Sequence, residues 1–220
     1  MGKYVVIDLE MCKVDKSMKK EFRANHEIIQ IGAVLLGEDL KVEDKFNRYV
    51  KPEFGWIDPF IEKLTGISQE HVKNASMLAG ALEEFLAWLP EDATAVSWSM
   101  TDRQQLSKEL TAKGMANERM NRLFETWIDC QKEFGKKVQA CRQYSLKEAM
   151  IATDVVGDDR EHDGLADAYN AALLFAKMEQ EEVLTLNPYY SMACREEKSE
   201  TLGFSLGDLL KGLNIQNTTA

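Results

Sequence analysis

Apolar residues fall in three short runs within the first fifty positions of the chain. Residues 4–11, 27–36 and 42–50 hold many β-branched or aromatic side chains and no proline, which is typical of strands. A basic loop joins the first two runs, and a short turn joins the last two. Polar side chains such as Asn47 and Arg48 indicate that the third run lies at the edge of a sheet. The pattern therefore predicts an antiparallel meander of three strands.

The spacing of apolar residues then changes from the period of a strand to that of a helix. A short helix is expected over residues 60–67, closed by Gly66, and a longer helix opens at Ser76. Residues 94–98 predict a fourth strand, which the intervening helices make parallel to a central strand. Residues 126–129 predict a fifth strand.

Two capping boxes mark further helix starts, at Thr101-x-x-Gln104 and at Ser145-x-x-Glu148. The last long helix is expected over residues 165–179. These elements predict an α/β protein with a mixed five-stranded sheet flanked by helices. The sheet consists of the antiparallel meander and the parallel strands that follow it.

The length of 220 residues suits one well-packed domain. We expect this domain over residues 1–185. Residues 186–220 are expected to form a partly ordered C-terminal extension, in which residues 204–210 could make an amphipathic turn or two.

The four cysteines are far apart in the sequence and form no C-x-x-C pair, so neither a zinc site nor a disulfide framework is expected. No apolar run is long enough to cross a bilayer, and the first residues lack the basic and apolar regions of a signal peptide. We therefore expect a soluble, cytoplasmic protein with reduced thiols and no membrane partner.

The formal net charge of -10 argues against broad, nonspecific electrostatic binding of nucleic acid. A local basic run nevertheless follows the first strand, at Lys13, Lys16, Lys19, Lys20 and Arg23. Such a run either meets phosphate groups or is simply a solvated loop, and the sequence leaves both interpretations open.

Two acidic residues interrupt the first apolar run. Side chains alternate along a strand, so Asp8 and Glu10 project from the same face. Two unpaired carboxylates on a buried strand would cost several kcal/mol or become protonated, unless a cation is bound there. Oxygen ligands favour a hard divalent cation such as Mg²⁺ or Mn²⁺. The alternative is a solvated strand edge or the start of a turn, so the hypothesis depends on further carboxylates.

Further candidates lie beyond the fourth strand and before the last helix. Asp102 falls in the first turn of a helix that follows a strand end, where open α/β sheets place ligand sites. His162 and Asp167 are five residues apart, which is a rotation of roughly 140° on a helix. His162 therefore belongs to the preceding loop, with Asp163 as the helix N-cap and Asp167 in the helix body.

The order of these residues resembles the DEDDh class of 3′-to-5′ exonucleases. Over residues 3–180 the chain is similar to the Eri-type RNA exonucleases and to their bacterial KapD-like relatives. The motifs that carry the resemblance are Val6-Ile7-Asp8-Leu9-Glu10, the segment from Glu27 to Val34, Leu64-Thr65-Gly66-Ile67, the segment from Ser97 to Asp102, and His162-Asp163-Gly164-Leu165-Ala166-Asp167-Ala168.

The resemblance implies a ribonuclease H-like fold and hydrolysis at the 3′ end of single-stranded nucleic acid, with RNA favoured over DNA. It implies two Mg²⁺ or Mn²⁺ ions held by Asp8, Glu10, Asp102 and Asp167, with His162 as general base, and release of nucleoside 5′-monophosphates. Asp8 would bridge both ions, Glu10 and Asp167 would hold the ion that carries the attacking water, and Asp102 would support the second ion. The terminal nucleotide would contact Leu64, Thr65 and Gly66 and the strand backbone around Leu9 and Met11.

Two other functions remain open at this point. The chain could be a non-catalytic regulatory or binding module on an exonuclease-like fold, or a proofreading exonuclease of a DNA polymerase. Among the remaining residues, His26 and His71 are expected to be ordinary surface or core residues. Trp98 either packs or stacks on a base, and the other tryptophans are assigned to the core or its rim; these are Trp56, Trp88 and Trp127.

Overall fold

The computed structural model describes residues 2–18, 22, 24–115, 117–140, 142–160 and 162–190. The strands are β1 (Tyr4–Val14), β2 (His26–Leu36), β3 (Val42–Tyr49), β4 (Gly55–Trp56), β5 (Thr94–Ser97) and β6 (Ile128–Asp129). The helices in these ranges are α1 (Pro59–Thr65), α2 (Gln69–Val72), α3 (Leu78–Trp88), α4 (Thr101–Ala112), α5 (Glu118–Glu125), α6 (Cys130–Lys137), α7 (Leu146–Ala152) and α8 (Gly164–Gln180).

The strands form one mixed sheet in the order β3-β2-β1-β5-β6. The pairs β1–β2 and β2–β3 are antiparallel, and the pairs β1–β5 and β5–β6 are parallel. The predicted meander, its edge strand and the parallel strands are thereby confirmed. A sixth strand, β4, was not predicted; it pairs with the end of β1.

The boundaries of the predicted helices follow the sequence pattern with two exceptions, and α2, α5 and α6 were not predicted. The helix expected to open at Ser76 begins at Leu78, with Met77 as its N-cap. Helix α1 ends at Gly66 in the left-handed conformation (φ 70°), and the Ser145–Glu148 capping box is present. The predicted capping box at Thr101 is wrong. Thr101 is already the first helical residue of α4, and Met100 occupies the N-cap without a side-chain hydrogen bond.

Helices cover both faces of the sheet. Alternate residues of β1, including Val5, Ile7 and Leu9, pack in one core with residues of α3 and α4. Val6 belongs to the core on the other face, where α8 contributes Ala168 and other residues. Because side chains alternate along a strand, Asp8 and Glu10 share the face of Val6, beneath α8.

Some predictions fall on residues outside the described ranges. They concern Lys19, Lys20 and Arg23 of the basic run, Cys141, Cys194, the turn at residues 204–210 and the extension beyond residue 190. Cys12 and Cys130 are buried free thiols. Of the helices in the described part of the chain, none is both long enough and apolar enough to cross a membrane.

Candidate active site

Four carboxylates from three separate segments meet beside the middle of β1, and we call them the β1 carboxylate cluster. Asp8 and Glu10 lie on β1, while Asp102 and Asp167 lie in the first turns of α4 and α8. The Leu9 N–H donates a hydrogen bond to Oδ1 of Asp102 at 3.1 Å, which fixes the start of α4 against β1. The predicted convergence of these side chains is therefore present in the structure.

The carboxylates of this cluster repel one another. Burial and the neighbouring charges, led by that of Asp102, raise the pKa of Asp8 well above its ordinary value. Burial and the charge of Asp167 raise the pKa of Glu10 to about 8. Burial is also the main reason that the pKa of Asp102 rises to about 7. These groups are held close together at an electrostatic cost in the metal-free protein.

His162 lies in the loop just before α8, as the five-residue spacing predicted. Its backbone is left-handed (φ 59°), and its N–H donates to Oδ2 of Asp167 at 2.9 Å. Ligand atoms of Glu10, His162 and Asp167 all lie within 4.8 Å of one another. The imidazole therefore lies beside two of the carboxylates. The hydrogen bond from the His162 N–H helps to stabilise the unusual left-handed backbone at this residue.

Helix α8 is positioned by three residues for which the sequence predicted no role at the site: Gln30, Asn47 and Gly32. The Gly164 N–H donates to Oε1 of buried Gln30 at 3.0 Å, and Nε2 of Gln30 donates to Oδ1 of Asn47. A Cβ on Gly32 would lie 2.1 Å from the carbonyl carbon of Gly164, so β2 and α8 meet backbone to backbone there. A buried amide and a glycine inside an apolar strand are the signals that could have revealed this contact.

Asp163 fulfils its predicted role as the N-cap of α8. Its Oδ1 accepts hydrogen bonds from the N–H groups of Leu165 at 3.0 Å and Ala166 at 3.1 Å. The cap satisfies backbone donors that would otherwise have no partner in the helix. With the contact at Gly164, it fixes the helix turn that carries Asp167.

One stretch of β1 borders the cluster without a strand on its outer side. Pairing with β5 covers Tyr4–Val6, and pairing with β4 begins only at Lys13. Within the described residues, the positions between them have β2 as their strand partner on the other side. In the described part of the chain, the backbone around Leu9 and Met11 therefore has no strand partner on the side of the carboxylates, and we call this stretch the open edge of β1. Its Leu9 N–H is already bonded to Asp102.

The residues expected to contact the terminal nucleotide have different environments. The Leu9 side chain is buried in the core, and Met11 packs against that core while partly exposed. Leu64 is 39% exposed. The Thr65 hydroxyl donates to the Ile61 carbonyl and accepts from the Ile67 N–H, so it stabilises the end of α1. Gly66 is the left-handed C-cap. Of the side chains in this set, Leu64 offers the most exposed apolar surface.

The tryptophans divide into packed and exposed ones. Trp98 is buried against Phe134, and Trp127 is buried with its Nε1 donating to the Ser97 hydroxyl. Trp88 packs partly exposed against the core. The assignment of Trp56 to the core or its rim is wrong, because this side chain is 54% exposed. It belongs to β4, whose existence the sequence pattern did not reveal.

A second acidic group lies between β2, α4 and the segment before β4, and we call it the Lys113 network. Nζ of Lys113 lies 2.9 Å from Glu27, 2.8 Å from Glu53 and 3.0 Å from Glu109. Glu27 also accepts the N–H groups of residues 53–55, and Glu109 accepts the Ile28 N–H at 2.8 Å. This group thus has an internal cation and several backbone donors.

The β1 carboxylate cluster fits a divalent metal. Its donors are carboxylate oxygens with an imidazole beside them, and oxygen-rich donor sets suit hard cations such as Mg²⁺ or Mn²⁺. A bound cation would offset the burial and the mutual repulsion that raise the pKa values of Asp8, Glu10 and Asp102.

The sheet order, the flanking helices and the site define an α/β protein of ribonuclease H-like type with a carboxylate cluster at the sheet. The fold matches the nuclease domain of 3′hExo, a DEDDh family member bound to rAMP, with a TM-score of 0.69 and 27% identity over 84% of this chain and 96% of that one. Residues 5–175 match the model of the exonuclease family RNase_T. The chain belongs to this family.

Individual relatives agree with the family match. The chain is 32% identical to human (Homo sapiens) 3′-5′ exoribonuclease 1 over 166 residues, which cover 71% of this chain and 47% of the relative. It is 30% identical to the mouse (Mus musculus) protein of the same name over 166 residues, covering 71% of this chain and 48% of the relative. The chain thus spans about half the length of these relatives. The Eri-type subgroup inferred from the motifs is supported.

Proposed function

We propose that this chain is a metal-dependent 3′-to-5′ exonuclease that hydrolyses single-stranded RNA from its 3′ end and releases nucleoside 5′-monophosphates. The observation that carries the proposal is the β1 carboxylate cluster, in which acidic side chains from three distant segments come together and burial, with mutual repulsion added, raises the pKa values of Asp8, Glu10 and Asp102. A protein that served only as a scaffold would gain nothing from this repulsion, since burying unpaired charges destabilises a fold.

Asp8, Glu10, Asp102 and Asp167 would hold two Mg²⁺ or Mn²⁺ ions. Two such ions supply an activated water and neutralise charge on the leaving oxygen during phosphodiester hydrolysis. The chain's own contribution is to bring the ligands together. The Leu9–Asp102 hydrogen bond and the contact of Gly164 with Gln30 fix the two helices that carry the more distant ligands.

His162 would act as general base and accept the proton of the attacking water on an imidazole nitrogen. Imidazole suits this role because it titrates near neutral pH. The ring stands beside Glu10 and Asp167, where the proposed ligands gather. The hydrogen bond from the His162 N–H to Asp167 limits the movement of the loop that carries the ring.

Two observations support single-stranded RNA as the substrate: the open edge of β1 beside the cluster, and the names of the similar proteins. Backbone groups near Leu9 and Met11 border the cluster, and Leu64 offers apolar surface for the terminal base. RNA is favoured over DNA because the human and mouse relatives are named exoribonucleases and the 3′hExo nuclease domain was solved with rAMP.

The test is nucleotide release from a labelled single-stranded RNA in Mg²⁺. We expect Asp8→Asn to lower the rate by about a thousandfold or more, since metal catalysis contributes several kcal/mol. Glu83→Gln is the matched control, because Glu83 is an exposed acidic residue of α3. Release by Asp8→Asn at the rate of the unmodified chain would overturn the proposal.

A substrate panel decides between the remaining alternatives. Matched RNA and DNA oligomers, with and without a duplex stem, should show faster release from single-stranded RNA. Faster release from DNA would favour a proofreading-type enzyme. Binding of RNA without release in Mg²⁺ or Mn²⁺ would favour a non-catalytic module.

A further inference from the structure

An exposed tryptophan stands at the far end of the open edge of β1. Trp56 is the register partner of Lys13, and both side chains are exposed. The ammonium of Lys13 lies 5.6 Å from the ring centroid of Phe60, itself an exposed residue of α1. Aromatic rings and a lysine are thus presented together on the surface, just beyond the stretch of β1 that borders the carboxylates.

Hydrogen bonds to a buried glutamate hold the backbone that leads into Trp56. Glu27, fully buried, accepts hydrogen bonds from the N–H groups of Glu53, Phe54 and Gly55. A Cβ on Gly55 would lie 2.7 Å from Sγ of Cys12 and 2.9 Å from the Lys13 carbonyl, so this strand is pressed against β1. A large aromatic side chain on a rigid backbone loses little conformational freedom when it binds a ligand.

The position of Trp56 suits a polynucleotide that starts at the carboxylates. Glu10 and Lys13 are three residues apart on β1, which is about 10 Å at the rise of a strand. This distance is about three times the ~3.4 Å spacing of stacked nucleotides. Three residues of strand place the side chains of Lys13 and its partner Trp56 on the face of β1 opposite to Glu10. A polynucleotide with its 3′ end at the cluster would therefore cross the open edge of β1 and reach Trp56 with a nearby upstream nucleotide.

We propose that Trp56 and Lys13 form a subsite for a nucleotide upstream of the 3′ end, in which a base stacks on the indole and a phosphate meets the ammonium. The ligand is a single-stranded polynucleotide. Stacking on an aromatic side chain is tolerant of sequence, because every base has a π-face. The inference rests on the proposed function and adds to it a preference for strands long enough to reach β4.

The kinetic test compares a ten-nucleotide RNA with a dinucleotide as substrates of the unmodified chain and of Trp56→Ala. We expect Trp56→Ala to raise KM for the longer RNA about tenfold, in the range that stacking of one base provides. The kcat value and the rate on the dinucleotide should not change. Trp56→Phe should keep most of the affinity, and Lys13→Gln should raise KM for the longer RNA several-fold.

The matched control is Tyr189→Ala, which removes an exposed aromatic ring at the other end of the described chain. It should leave both substrates unaffected. An unchanged KM of Trp56→Ala for the longer RNA, or equal losses on both substrates, would overturn the subsite.

A binding measurement separates this inference from the proposed activity. Fluorescence polarisation of the labelled ten-nucleotide RNA in EDTA reports binding without cleavage. We expect Trp56→Ala to bind about tenfold more weakly than the unmodified chain. If no nucleotide is released from any RNA but this difference remains, the activity is refuted and the subsite stands. Equal binding by the two proteins refutes the subsite, whatever the activity.

Discussion

Helix α4 takes part in two groups of buried carboxylates that differ in how their charge is balanced. Its first turn gives Asp102 to the β1 carboxylate cluster, and its last turns give Glu109 to the Lys113 network. In the cluster, burial and mutual repulsion raise the pKa values of Asp8 and Glu10; in the network, burial raises the pKa of Glu109, although Lys113 opposes this shift. In the network, burial lowers the pKa of Lys113, but Glu109 and the other carboxylates outweigh burial, and the net shift is upward.

This difference indicates that the β1 carboxylate cluster is a candidate ligand site, whereas the Lys113 network stabilises the fold. The Lys113 network is complete without any ligand, because its cation and its backbone donors belong to the fold. The β1 carboxylate cluster is held in place by backbone contacts at Leu9 and Gly164, yet its charges favour a cation from outside. The predictions below test this contrast.

The largest expected effect is on catalysis. His162→Ala should lower kcat by about 10²- to 10⁴-fold, the usual contribution of a general base, while Mg²⁺ affinity measured by calorimetry changes little. The matched control is His71→Ala, because His71 is engaged locally: its Nδ1 accepts the Ser68 N–H and its ring stacks on Tyr49. Loss of Mg²⁺ binding by His162→Ala would make this residue a ligand.

The next largest effect is a loss of stability when the cation of the Lys113 network is removed. Lys113→Met leaves Glu27 and Glu109 buried without their ammonium, so the free energy of unfolding should fall by about 3–5 kcal/mol. Unfolding in urea measures the loss. Lys108→Met, on an exposed position of the same helix, should stay within about 0.5 kcal/mol of the unmodified chain.

In the same urea unfolding assay, Asp8→Asn should not lower the free energy of unfolding as Lys113→Met does. Removing a charge from the β1 carboxylate cluster relieves repulsion, so the metal-free protein should be no less stable than the unmodified chain. If Asp8→Asn and Lys113→Met destabilise the metal-free protein equally, the two groups are not electrostatically different.

A smaller effect is expected where β2 supports α8. Gly32→Ala places a methyl group 2.1 Å from the Gly164 carbonyl carbon, so α8 must shift, at a cost of about 1–3 kcal/mol. Activity should fall further than this loss of stability explains, because His162 and Asp167 move with the helix. Gly135→Ala is the control, since its Cβ would have 3.9 Å of clearance and alanine favours the helix α6. Unchanged activity of Gly32→Ala would show that the position of α8 is not critical.

Local periodicity predicts the strands and part of the cluster, whereas the full set of four carboxylates was predicted from the resemblance to the DEDDh exonucleases. Alternation along β1 places Asp8 and Glu10 on one face, and the five-residue spacing places His162 before α8. Strand β4 follows instead from hydrogen bonds to Glu27, which is 26 to 28 positions away, and no local pattern encodes them. The exposure of Trp56 was missed for the same reason.

The Lys113 network was also beyond local reasoning. Glu27, Glu109 and Lys113 are charged residues of ordinary sequence context, and their burial becomes evident only when β2 and α4 are packed together. Nothing in the fold tests the division at residue 185 or the cytoplasmic location, so both stay predictions.

The last prediction concerns pH and the metal-free protein. Folding raises the pKa of Glu10 to about 8 and that of Asp102 to about 7, from 4.5 and 3.8. The folded state therefore binds more protons than the unfolded state between these values, and stability must fall as pH rises. In EDTA the melting temperature should decrease between about pH 5.5 and pH 9, by roughly 2–4 °C for each kcal/mol lost.

Other carboxylates oppose this trend only at lower pH. Hydrogen bonds from Arg142 and Arg160 lower the pKa values of Glu148 and Asp158 to about 2, so their contributions are lost only as pH falls below about 4. Asp8→Asn should flatten the decline above pH 5.5, and Mg²⁺ should raise the melting temperature more at pH 8.5 than at pH 6, because protons compete with the cation. A melting temperature that rises with pH in EDTA would mean that the carboxylates already have a counter-charge within the fold, and the distinction between the β1 carboxylate cluster and the Lys113 network would disappear.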